Sequence, residues 1–307
     1  MPIKLRLITL YSYISNQYNT HLRYFCQRFS NNSNEGKFSD VEILTCYFFS
    51  VIEEEVFKIK KIHRFIQNYW KDWFPHLPSY QAFSKRLNRL ESILPMLVNS
   101  LVETLLSGHD LEQTDRLIDS MPIILSKGRG NGKVASNIAD KTYSSSKKIH
   151  YYGVKLHMVS LRVIDKMPTP ELIGITKASN HDLPPVKGVL AGLKNCKVFA
   201  DKAYADHELE DLLYKNNNVS LLTPEKLVKG ESPYYREFAH AFRKQWGKAI
   251  SSVRQPVEVF FNWLIEKTGI QDASKVRSEK GLMVHIYGKL ASALLILANF
   301  LTIDPHV

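Results

Sequence analysis

Cys196-Lys197-Val198-Phe199-Ala200-Asp201-Lys202-Ala203-Tyr204-Ala205-Asp206 is the stretch from which the fold can be read. Val198, Phe199 and Ala200 form an apolar run too short for a helix and bounded by charge, the pattern of a fully buried strand. Asp201 follows at its carboxyl end. Asp206 is placed to cap a helix through Leu209, Leu212 and Leu213, with Glu208 and Glu210 in its first turn. Sheets that alternate with helices put ligand-binding groups at that junction. A loop aspartate that merely solvates a strand end gives the same local pattern, so the reading turns on the rest of the chain.

Working upstream, Leu117 to Ile124 reads as a strand with Asp119 in it. Pro122 cannot donate to a ladder, so pairing is expected to loosen there. Ser126 to Lys148 is basic and punctuated by glycines without the spacing of a phosphate-binding loop, and is expected to be loop. Val154-Lys155-Leu156-His157-Met158 alternates strictly, a half-buried strand. Leu172 to Thr176 is expected to pair with it, and Asn180-His181-Asp182 to cap a helix running to Leu193. Downstream, Val219 to Thr223 supplies a fifth strand. Three adjacent strands, then helix, strand, helix and strand, is the order of a ribonuclease H-like sheet. Residues 111–307 are therefore expected to be α/β, a mixed five-stranded sheet flanked by helices, with Asp119 on the first strand and Asp201 on the fourth.

A third acid is expected on the helix after the fifth strand. Lys226, Lys229, Arg236, Arg243, Lys244, Lys248 and Arg254 make a basic approach to it. Pro256 reads as a first-turn proline of a helix through Ile265, which sets Glu258 near the helix start and Arg254 one turn before it. Glu266 lies slightly more than two turns further on. It stands beside Lys267 and just before Thr268-Gly269, where a surface ion pair at a helix end is the simpler explanation.

Residues 1–110 read as all helical. Ser39-Asp40 caps an apolar run from Val41 to Phe49, Glu53 to Trp70 has helical spacing, and Phe74-Pro75-His76-Leu77-Pro78 breaks the pattern. Ser79 then caps a helix whose apolar face is Phe83, Leu87 and Leu90. Lys85, Arg86 and Arg89 stand on or beside its polar face, with Gln81, Ser84 and Asn88. Helix, turn and such a helix resemble a helix-turn-helix that contacts bases and phosphates; an ordinary amphipathic helix with a solvated basic face reads the same way.

Composition narrows the partners. Across 307 residues Lys+Arg outnumber Asp+Glu by 41 to 30, a net charge of +11, which favours a polyanion. The excess is uneven, +3 in residues 1–110 and +8 in 111–307. Three scattered cysteines argue against a disulfide framework or structural zinc and fit a reducing compartment, and the histidines have no zinc spacing. The apolar run Leu290 to Ile303 is shorter than a bilayer span and reads as a core helix, and the N-terminus has no secretory pattern. A soluble cytoplasmic protein is expected, associated with the nucleoid when bound to DNA, with no membrane partner.

Asp119-Ser120-x-Pro122, Tyr152-Gly153-Val154-Lys155-Leu156-His157, Asn180-His181-Asp182, Ala200-Asp201-Lys202-Ala203-Tyr204 and Arg254-x-x-x-Glu258 together resemble the ordered motifs of DDE-type insertion-sequence transposases. The resemblance spans residues 117–265 and implies that Asp119, Asp201 and Glu258 bind two Mg²⁺ ions, with Mn²⁺ as a substitute. It further implies cleavage of the ends of the chain's own mobile element, transfer of the freed 3′-hydroxyl to target DNA, and a homodimer on double-stranded DNA. Lys155, Lys202 and Arg254 would hold phosphates near the metals, and residues 1–110 would recognise the element ends. Related families often carry Tyr and Lys where Ser251 and Ile265 stand here, a departure that spares the three acids. A nuclease or resolvase on the same fold, or an inactive DNA-binding regulator, would carry much of the same sequence.

Overall fold

A computed structural model describes residues 1–26, 37–111, 114–128, 132–144, 147–225, 230 and 232–299. The chain opens with α1 (Ile3–Gln17), α2 (Arg23–Cys26), α3 (Asp40–Glu54), α4 (Ile59–Tyr69), α5 (Tyr80–Arg89) and α6 (Leu94–Leu106). The cap at Ser39 forms in full: its hydroxyl accepts from Glu42 N and the Glu42 carboxylate accepts from Ser39 N, two orphan donors satisfied at once. Behind it Phe48 and Phe49 are fully buried, a contribution of roughly 1.5–3 kcal/mol each.

Two helical expectations change here. The helix read over Glu53 to Trp70 is two helices, because Glu55 takes a left-handed conformation at φ 50° and ends α3. α4 and α5 are separated by residues 70–79, a connection longer than the three- or four-residue turn of a helix-turn-helix. Within that connection Trp70 and Phe74 are buried and Trp70 stacks edge-on against Phe49, so packing sets its length.

A six-stranded sheet follows: β1 (Arg116–Lys127), β2 (Asp140–Ser144), β3 (Ile149–Leu161), β4 (Thr169–Lys177), β5 (Lys197–Phe199) and β6 (Ser220–Leu222). β3 pairs antiparallel with β1 on one side and, on the other, with β2 at its start and β4 along the rest. β1, β5 and β6 run parallel. The five expected strands and their ribonuclease H-like order are present. β2 is the addition, a half-exposed edge strand without apolar alternation inside the segment expected to be loop.

Pro122 does not loosen the β1–β3 ladder, which runs through it; the register shift falls between Ile124 and Ser126. N–H groups alternate sides along a strand. Ser120 N, two residues earlier, turns to the Asp119 side chain, so the missing donor of Pro122 lies on the side away from β3, beyond the last residue of β5 paired to β1. Further along that edge Ile124 N donates to Gln271 O and Ala273 N donates to Ile124 O, so the chain after the last long strand-facing helix closes it. At Gly153 an added Cβ would lie 2.0 Å from Ile123 O, so the glycine is what lets β3 approach β1.

α7 (Leu183–Gly192) and α8 (His207–Asn217) cover one face of the sheet, packing Val186, Leu190 and Leu213 on Ile118, Val159 and Val198. α9 (Pro233–Thr268) covers the other, with Val257, Phe260 and Leu264 against Leu117, Met121 and Leu156, while α6 packs on β4 and α10 (Glu279–Leu297) lies against the helices. That second core is continuous with the side chains of α3, α5 and α6. α10 is long and apolar enough to cross a membrane, yet most of it is buried against those helices. The tail of the run expected as its core helix, 300–303, lies outside the described residues, as do Lys226 and Lys229 of the basic approach.

α9 is far longer than expected. It starts at Pro233, so Pro256 is an interior proline and not a first-turn residue. The carbonyl it leaves without a donor belongs to Ser252, which is exposed and can bond water.

Candidate active site

Strand alternation decides where each group of the site points. Leu117, Asp119 and Met121 share the face covered by α9, whereas Ile118 and Ser120 share the face covered by α7 and α8. β5 pairs Leu117 with Phe199, and the register carried on by two residues sets Asp119 beside Asp201. Asp201 caps a short 3₁₀ turn, Lys202–Tyr204, its carboxylate accepting from Lys202 N at 2.5 Å. Asp206 caps α8 as its sequence position requires, accepting from Leu209 N at 3.1 Å.

From the other side α9 lowers Arg254 into the site. Arg254 Nη2 lies 3.0 Å from Asp119 Oδ2 and 4.0 Å from Glu258 Oε1. The Arg254 side chain is only 7% exposed and that of Glu258 59%, so the guanidinium sits below the acid that reaches the surface. Asp119 Oδ1 accepts from Ser120 N at 2.8 Å. Burial pushes the Asp119 carboxyl from 3.8 up to about 6; Arg254 and the Ser120 N–H oppose this, and the Glu258 and Asp201 charges add to it. Asp119 thus feels the charges of both Glu258 and Asp201. All three offer carboxylate oxygens, the donors hard divalent cations take, and a cation among them would relieve their repulsion. Among the described residues no three acidic, His or Cys side chains form a ready cage, and Arg254 holds one oxygen of Asp119.

A family model described as the transposase DDE domain matches residues 109–295. The chain belongs to that family. No curated protein and no solved structure matches it. The match begins just before β1 and ends within α10, so the transposase domain takes in the sheet, Asp119, Asp201, Arg254 and Glu258.

The other residues singled out in the sequence are scattered. Lys202 is exposed beside Asp201. Lys155 is engaged within the transposase fold, its Nζ 2.7 Å from Asn180 O and 3.0 Å from Asp182 Oδ1. Lys85 and Arg89 lie exposed on α5, lining an open groove with Ser278 and Lys280 at the start of α10, whereas Arg86 turns inward to Phe38 O and to Asp40 Oδ1 at 2.8 Å. His157 is buried at 3% exposure, with Nε2 2.8 Å from Thr176 Oγ1. Tyr204 packs behind the strands at 1% exposure. Glu266 stands apart from these groups, and its neighbour Lys267 pairs with Glu55 at 2.9 Å.

Sequence reasoning missed the role of Asp182. It occupies the N-cap position of α7 but caps nothing with its side chain. Its carboxylate reaches Ser120 Oγ and Lys155 Nζ, both at 3.0 Å. Nothing in the order Asn-His-Asp before a helix announces this, because an N-cap is the default reading of such a residue.

Proposed function

We propose that this transposase cleaves the ends of its own insertion element and joins the 3′-hydroxyl ends to target DNA by metal-assisted phosphoryl transfer. The observation that supports this most directly is the descent of Arg254 onto Asp119 beside Glu258, which brings α9 over the first half of β1 where it meets the carboxyl end of β5. Asp119, Asp201 and Glu258 would hold two divalent ions, Mg²⁺ or Mn²⁺. Such ions, when bound, activate the attacking oxygen and stabilise the leaving one.

The chain's own groups do the rest. The Asp119 carboxyl titrates at about 6, so at neutral pH it is mostly in the ionised form that would hold a cation. Arg254, between Asp119 and Glu258, would offer its guanidinium to a phosphate oxygen, and Lys202 a second charge at the surface. Residues 1–110 would supply end recognition, with Lys85 and Arg89 on the exposed face of α5 and Arg86 tying α5 to the start of α3. A homodimer on DNA in the cytoplasm is the proposed assembly.

Purified protein, oligonucleotides carrying the element's own ends, a target plasmid and Mg²⁺ test this. Cleavage followed by covalent joining is the expected result, and both should vanish in Asp119→Asn and Asp201→Asn while end binding persists. Cleavage without joining would convert the reading to a nuclease. Binding with no cleavage under any metal would convert it to a regulator.

A further inference from the structure

The sheet has a second polar cluster, under Asp119 on the opposite face. Ser120, Lys155 and His157 point to the α7 side by strand alternation, Ser120 opposite His157 in the β1–β3 register. All three converge on one oxygen, Asp182 Oδ1: Ser120 Oγ donates at 3.0 Å, Lys155 Nζ at 3.0 Å, and His157 Nδ1 stands 4.0 Å away. The buried Tyr204 hydroxyl faces Ser120 and Asp182 without a hydrogen bond of good geometry, and His157 Nδ1 is likewise buried without one. A carboxylate half-buried among these groups, and not capping its own helix, is held there for its contacts with the sheet.

We propose that Asp182 is a positioning residue for Asp119, acting through the sheet. Ser120 is the link. Its hydroxyl is fixed by Asp182 on one face while its N–H donates to Asp119 Oδ1, so the peptide that orients the Asp119 carboxylate is clamped from behind. Lys155, held between Asn180 O and Asp182, locks β3 to the start of α7 and keeps the Asp182 carboxylate paired. Asp182 touches neither DNA nor the reacting atoms. Groups that orient metal-holding carboxylates in this indirect way typically change metal affinity or activity about 10–100-fold when removed.

The inference rests on Asp119 being a metal-holding carboxylate, and the experiment separates the two. Full-length protein is compared with Asp182→Ala, Asp182→Asn, Ser120→Ala and Asp119→Asn. Four quantities are read: melting temperature, affinity for element ends, the Mg²⁺ concentration giving half-maximal cleavage, and the metal-free rate of Lys155 reductive methylation by peptide mapping. For Asp182→Ala, Lys155 should label several-fold faster and the Mg²⁺ requirement should rise about 10–100-fold, with end affinity within about threefold. Ser120→Ala should raise the Mg²⁺ requirement without speeding Lys155 labelling, and Asp182→Asn, which keeps an acceptor oxygen, should fall between Asp182→Ala and wild type. If Asp182→Ala is too unstable to assay, Ser120→Ala and Asp182→Asn decide. A Mg²⁺ requirement within twofold of wild type across the assayable Asp182 and Ser120 variants overturns the proposal while Asp119→Asn remains dead. Full cleavage by Asp119→Asn overturns the site assignment itself.

Discussion

Replacing Arg254 with Met should raise the titration point of Asp119, because the guanidinium is the strongest influence holding it down. At 3.0 Å and an effective dielectric near 20, a unit-charge pair is worth roughly 5 kcal/mol. Delocalisation over the guanidinium and sharing with Glu258 reduce that, and carboxylates beside arginine typically move by about 1–3 pH units. Asp119 in Arg254→Met should therefore titrate well above its present value of about 6 and be largely protonated at pH 7. Carboxyl-carbon NMR of metal-free protein reads this directly, and the pH midpoint of Mg²⁺-dependent cleavage should rise with it. Arg254→Lys keeps the charge and should move far less. The same coupling fixes a sign for stability. A carboxyl raised in the folded state is accommodated below its ordinary value of 3.8 and opposes folding as pH climbs to about 6, by at most ~3 kcal/mol. Arg254→Met should extend that loss to higher pH. An Asp119 titration unchanged between wild type and Arg254→Met would refute the reasoning.

Glu258→Gln should abolish Mg²⁺-dependent cleavage while Glu266→Gln retains most of it, measured on the same labelled end substrate; the reverse pattern would move the third acid down α9. Lys85→Ala and Arg89→Ala should each lower the salt slope of end binding by about one without changing the melting temperature. Arg86→Ala should instead destabilise the protein by roughly 1–3 kcal/mol, since Asp40 and Phe38 O each lose a bond to the guanidinium, and calorimetry distinguishes the two classes. Burial pushes the Lys289 ammonium from 10.5 down to about 7, so its cost is fully present below pH 7 and fades as pH rises toward 10.5. Lys289→Met should accordingly be more stable than wild type by roughly 1–4 kcal/mol at pH 7, despite the lost bond to Gly269 O, with the gap closing by pH 10 in thermal melts.

Much of the domain could be read from the chain because its signals are local. The buried run Val198–Ala200, the Asp206 cap and the Ser39 capping box each form as their residues dictate. The misreadings share one cause, in that long-range packing overrode local preference. Pro256 is common in first turns, yet contacts of Val257, Phe260 and Leu264 with the sheet keep it inside a long helix. Glu55 breaks a helical pattern where the next segment brings Phe57 close against Gly269. The carboxylates of the site were legible as residue types at motif spacing. What was hidden is direction: Arg86 and His157 turn inward and Asp182 turns away from its helix, and no periodicity in those stretches encodes it.

α10 sets a clock on synthesis. It packs on α3, α5 and α6, which leave the ribosome about 170–225 residues before it does. At about 5–20 residues per second those helices wait roughly 10–50 s with their apolar faces bare. A shorter delay separates Asp119 from Arg254 and Glu258, so a chain stopped short of α9 has the sheet and two of the three candidate acids but not the third. Premature termination would thus leave a fragment exposed to proteases and unable to cut, and under the proposed reading only a finished chain can act on DNA.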